Sequence, residues 1–154
     1  METQRTRILV HGLIAGLICY LVIALLFLAY DALLQRPLLL TVARLGAALT
    51  GSPLAGDVVT APPVIAFNAA HLVLMLLVGM AASLVAHEWE LHPNDWYAAF
   101  SVLTIGALLM TIGVGIYAVE LAGAASWPAV LATNVVAAAA MAAYLIRVSR
   151  LHTA

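Results

Sequence analysis

The sequence has very little charge. Only 8% of its 154 residues are Asp, Glu, Lys or Arg, where an ordinary soluble domain carries about a quarter. A soluble globule could not keep its surface wet with so few charged groups, so the chain belongs in a bilayer. Lysine is absent altogether, the six arginines are scattered, and the formal net charge is −1. No basic face is therefore present for nucleic acid. A single cysteine, Cys19, excludes an internal disulfide and any metal motif built on several cysteines. Nucleophilic catalysis also has little to rest on. Ser83, Ser101 and Cys19 lie in apolar runs with no base at a fitting spacing, and no glycine-rich phosphate loop is visible. The expectation is a protein that is not an enzyme and has no catalytic residues.

What the chain does have is apolar length. It is 66% hydrophobic, with a mean hydropathy of +1.12. Four runs, at about 8–30, 63–86, 96–119 and 127–146, hold 20 to 24 residues each without Asp, Glu, Lys or Arg. About 20 apolar residues cross a hydrocarbon layer of about 30 Å, and only helices among open structures satisfy their own backbone polar groups there. The expected fold is all-α, one membrane domain over residues 1–154, with four antiparallel spans. The basic start METQRTR resembles a signal peptide. However, the 23 uncharged residues that follow exceed a usual apolar core of about 7–15, so the first span reads as retained.

Arginine sets the expected orientation. Arg5 and Arg7 precede the first span, and Arg147 and Arg150 follow the fourth. An even number of spans puts these four on one side, which the positive-inside rule makes cytoplasmic. Arg36 and Arg44, in the first loop, oppose this. The expectation is a multi-pass protein of the inner, cytoplasmic membrane, with both termini cytoplasmic. Trp89, Trp96 and Trp127 fall at span ends, where interfacial aromatics belong.

The loop from Asp31 to Pro62 is the one long connection. Within it, residues 37–50 are too apolar for a plain loop and too short to span. Leu38, Val42, Leu45 and Leu49 recur at helical spacing, which predicts a short interfacial or re-entrant helix. Gly12 and Gly16 form a GxxxG in the first span, a pattern that lets helices approach closely. Chance alone also produces it often. The short third connection predicts that spans three and four form a tight antiparallel pair.

Three features together resemble a known group: RPLLLTVARLGAAL after a first span, a lone His71 followed by Gly79 in span two, and Trp127, Asn134, Tyr144 and Arg147 in the last span. They resemble a group of small bacterial four-helix integral membrane proteins with no established activity. The resemblance implies fold and topology and nothing about chemistry. Usual members carry a proline near Val42, which is missing here.

Few polar residues lie at depth. At about 1.5 Å per residue, His71 and Asn68 sit in the same half of the bundle as Asn134 of span four, and Tyr117 and Glu120 of span three arrive near that level. The candidate intramembrane cluster is therefore Asn68, His71, Tyr117, Glu120 and Asn134, with Tyr20 and Tyr30 able to join from span one. Such residues either bond helices together or mark a site for a ligand or proton. Haem would need two axial ligands at one depth. His11 and His71 differ by roughly 18–20 Å along the normal, so they cannot share one iron. A second candidate cluster, His87, Glu88, Glu90 and His92, lies in the segment HEWELHPND. It could hold a divalent metal, but a polar loop with Asn94 or Asp95 capping the next helix explains it as well. No resident cofactor is expected. The partners expected are the lipid bilayer and either further copies of the chain or another membrane protein. The leading functional reading is a non-enzymatic structural or accessory subunit of a membrane complex. The alternatives are a small oligomeric transporter or channel-like protein using a polar site around His71, and a haem- or metal-binding membrane protein.

Overall fold

The computed structural model describes residues 2–52, 54–92, 94 and 96–150. It is an all-α bundle, with no strand among those residues. Helix α1 runs over Glu2–Leu33, α2 over Leu40–Thr50, α3 over Ala61–Leu91, α4 over Trp96–Gly115 and α5 over Trp127–Arg150. A π-helical segment, Ile116–Leu121, continues α4. The four long helices contain apolar stretches able to cross a membrane: Arg5–Leu33, Ala61–Trp89, Ser101–Leu121 and Trp127–Val148. These four match the four spans expected from the charge-free runs. The helices α1 and α3 outrun those spans, because backbone hydrogen bonding does not stop where hydrocarbon does. His87 to Leu91, expected as loop, is the last turn of α3, and its C-cap is His92.

The helix α1 packs broadly along α3 and then along α5. GxxxG lies in the first of these seams. A Cβ added at Gly12 would stand 2.7 Å from Met80 Cα, one at Gly16 2.7 Å from Leu76 Cα, and one at Gly79 2.6 Å from Gly16 Cα. Backbone therefore meets backbone between α1 and α3, and the glycine pair is used within the chain. Ser83 fastens the same seam by donating to the Ile8 carbonyl at 3.0 Å. The core continues with Ile23 and Phe27 of α1, Leu45 of α2, Met75 of α3 and Val130 of α5.

The expected helix at 37–50 exists but starts at Leu40, after a turn in which Leu39 takes φ 70°. It is wedged into the bundle against α3. Its buried residues are Leu40 to Ala43 and Leu45 to Ala47. Of the four residues at helical spacing, Val42 and Leu45 are buried, whereas Leu38, which precedes the helix, and Leu49, in its last turn, are exposed. Gly46 sits on Pro63, so that a Cβ there would be 2.9 Å from Pro63 Cα, and this close approach lies on the same buried face as Val42 and Leu45.

The helices α4 and α5 do not form the tight pair expected of a short connection. At the connection, the Trp127 ring lies on Gly115. Farther along α4, every residue from Ser101 to Leu109 is exposed. Contact between α4 and its neighbours is much thinner than that of α1 with α3.

Candidate functional site

The five residues of the intramembrane cluster do not assemble into one hydrogen-bonded group. Asn68 and His71 face α1. Tyr20 donates its hydroxyl to Asn68 Oδ1 at 2.9 Å, and the Asn68 amide donates to the Val64 carbonyl at 2.8 Å. The His71 imidazole lies between two rings. Phe67 stacks on it with centroids 5.2 Å apart and an interplanar angle of 11°, and Tyr20 stands 5.6 Å away at 43°. His71 Nε2 is buried and has no hydrogen-bond partner.

The other three residues go elsewhere. Asn134, expected beside His71, donates to Thr111 Oγ1 of α4 at 3.3 Å, and Thr111 donates to the Ala107 carbonyl at 2.8 Å. Tyr117 donates to the Leu45 carbonyl of α2, carried there by the π-helical turn, whose wider spacing rotates its side chains relative to α4. Glu120 is exposed and accepts from Trp127 Nε1 at 3.3 Å. Depth was the basis for grouping these residues, but depth leaves open the direction each faces. Tyr20 joins Asn68 and His71 as expected. Tyr30 reaches Ser126 at 3.5 Å.

His11, far from His71 along α1, pairs instead with Tyr144 of α5, Nδ1 to hydroxyl 2.9 Å. In the second candidate cluster, His92 and Glu88 are both exposed and stand 3.5 Å apart, one helical turn from each other. His87 lies within α3 while His92 is its C-cap, with φ −127° and ψ 70° off the helical path, and the five-residue spacing is not the i, i+4 pair that places two histidines on one helix face. The Glu90 side chain, Pro93 and Asp95 lie outside the described residues. Among those residues, no group of three or more His, Cys, Asp or Glu comes together.

The most connected polar centre is one that sequence reasoning missed. Asp31, which reads in the sequence as the charge that ends span one, is 0% exposed. Its Oδ2 accepts the Thr41 backbone amide at 3.0 Å. Its Oδ1 accepts the Thr41 hydroxyl at 2.6 Å and Arg36 Nη2 at 2.8 Å. The Arg36 guanidinium also donates to Thr41 Oγ1 at 3.0 Å and stacks over the Tyr30 ring at 5.0 Å. Three residues five apart in sequence thus tie the end of α1 to the first turn of α2. The carboxylate satisfies an amide that helix α2 would otherwise leave unpaired. Thr41, which the apolar spacing of α2 placed off its buried face, is 0% exposed because it serves this carboxylate. The only sequence signal was the spacing itself, Asp31, Arg36 and Thr41.

Farther out on the same end, Arg44 donates to Asp57 at 2.6 Å and to the Gly123 carbonyl at 3.0 Å. It borders an open groove of about 420 Å³ that is otherwise lined by small and apolar residues, among them Ala48, Gly51 and Leu121.

Comparison with protein-family models, curated proteins and solved structures returned no match.

Proposed function

We propose that the chain is a non-enzymatic accessory subunit of a larger membrane complex and that α4 is the helix it offers to its partner. The supporting observation is the terminus-side half of α4. Over Ser101–Leu109 every residue of the helix is exposed. Yet it carries Ser101, Thr104 and Gly106, and nothing lies within 4 Å of a Cβ added at Gly106. Small and hydroxyl-bearing residues are what membrane helices use against one another, because lipid gives helices no hydrophobic reason to associate. This stretch has the composition of a helix interface and no helix against it. The polar residues elsewhere support the same reading. Asn68, Asn134, Tyr117 and His11 each bond a neighbouring helix or its backbone, as structural contacts do. Arginine bias puts both termini on the cytoplasmic side of a bacterial inner membrane in this reading.

Photo-crosslinking tests it. A crosslinking residue replaces Ile105 on α4 or, as a control, the equally exposed Leu25 on α1, and the protein is expressed in its own membrane. The expected result is one defined protein adduct from position 105 and none from position 25. Adducts only to lipid from both positions, with a protein that extracts as a lone monomer, would refute the proposal.

A further inference from the structure

We infer that the groove beside Arg44 binds one anionic phospholipid, with the lipid phosphate on the guanidinium and the start of an acyl chain in the groove. The groove lies between the C-terminal half of α2, the segment that follows it and the end of the π-helical turn. Small residues make the space. Ala48 and Gly51 line it, together with Gly56 and the apolar side chains of Leu54 and Leu121. Nothing lies within 4 Å of a Cβ added at Gly51 or Gly56, so no neighbouring side chain fills the trough there. Its volume of about 420 Å³ falls in the range of small-molecule sites, about 300–1,000 Å³. That is room for the headgroup-proximal part of a lipid, with the rest of its chains left in the bilayer.

Position and charge select the ligand. Leu121 is the last residue of the third apolar stretch and is 71% exposed. The groove therefore stands where hydrocarbon gives way to headgroups, and an amphiphile can enter it sideways from the bilayer. Among the described residues that line it, only Arg44 is charged. The guanidinium is held by Nη2 to Asp57 Oδ1 at 2.6 Å and by Nη1 to the Gly123 carbonyl at 3.0 Å, two bonds that use fewer than its N–H donors. The side chain is 31% exposed, so the remaining donors are within reach of a ligand. One fixed cation beside an apolar trough complements one phosphate beside one acyl chain. Arginine and phosphate form charge-assisted bonds, and basic pockets between membrane helices take anionic headgroups. A zwitterionic lipid carries its own cation to its phosphate and gains less from Arg44. Asp57, 58% exposed, competes with the phosphate for the same guanidinium. This site does not depend on the contact proposed for α4.

The test uses the full chain, delipidated in mild detergent and titrated with phosphatidylglycerol or with phosphatidylcholine of the same acyl chains. Native mass spectrometry counts the bound lipid. The expected result is one phosphatidylglycerol per chain, held about tenfold or more tighter than phosphatidylcholine and not displaced by excess inorganic phosphate. Arg44→Gln should remove the preference. Ala48→Phe, at an exposed position, fills the trough and should weaken phosphatidylglycerol binding about tenfold. Leu49→Phe, exposed but outside the groove, should leave it unchanged. Asp57→Asn should tighten binding, since the competing carboxylate is gone. Circular dichroism verifies that each variant stays helical. The inference is overturned if the two lipids bind alike, if free phosphate displaces the lipid, or if Ala48→Phe binds as wild type does. It is equally overturned if Asp57→Asn weakens binding, since the ion pair would then serve only to hold the loop.

Discussion

The tie between α1 and α2 makes a quantitative prediction. Asp31→Ala removes the acceptor of the Thr41 amide, of the Thr41 hydroxyl and of Arg36. Breaking one side of a buried ion pair costs about 3–5 kcal/mol. Arg36 is 21% exposed on its side chain, so water recovers part of its solvation and the loss should be about 3 kcal/mol. Arg36→Met leaves Asp31 with its two Thr41 bonds and should cost about 2 kcal/mol. The double variant is the informative one. With neither charge present there is nothing left to strand, so it should lose less than Asp31→Ala alone, about 2 kcal/mol, a coupling of about 3 kcal/mol. Reversible unfolding in mixed detergent micelles, followed by tryptophan fluorescence, measures all four proteins. Losses that add to within about 0.5 kcal/mol would refute the reasoning, because they would mean that Asp31 and Arg36 act separately.

Four further outcomes follow from the packing. Gly79→Ala places a methyl group against Gly16 and Gly12 backbone, which cannot swing aside, and should destabilise the bundle by about 1–3 kcal/mol. Gly106→Ala meets nothing and should gain up to about 1 kcal/mol from helix propensity, so a loss at 106 equal to that at 79 would contradict the close approach of α1 and α3. Tyr20→Phe deprives Asn68 Oδ1 of its donor while the Asn68 bond to Val64 remains. The same unfolding assay should show a loss of about 0.6–1 kcal/mol, and no change at all would argue that the two helices are not joined there. Arg44→Ala breaks an exposed pair with Asp57 and should cost under about 1 kcal/mol, whereas a larger loss would show that the α2 end depends on it.

The spans were legible because hydrocarbon tolerates so little charge that the charged residues bracket each one. The short helix was legible too, but its first turn was not. Leu39 turns with positive φ beside the Asp31–Arg36–Thr41 tie, and that tie is a tertiary arrangement. The same limit explains the polar residues. A rise per residue gives depth, which put Tyr20 near Asn68 and His71. Depth does not give the direction a side chain faces, and span order does not reveal which neighbour it meets. Asn134 faces Thr111 of α4, and Tyr117 faces Leu45 of α2. Gly12 and Gly16 read as a pattern that chance also produces. Only Gly79 opposite them made that pattern a contact.

The packing of α1 against helices that follow it also imposes an order on biosynthesis. The helix emerges first and must wait for the segments that cover it. Asp31 waits least, because Arg36 and Thr41 follow within ten residues, so the most buried charge is paired almost as soon as it leaves the ribosome. The glycine seam can close only when α3 arrives. His11 waits longest, since Tyr144 lies 133 residues downstream. A chain stalled before α5 would hold its α1–α2 tie and its α1–α3 seam with the His11–Tyr144 contact still unmade.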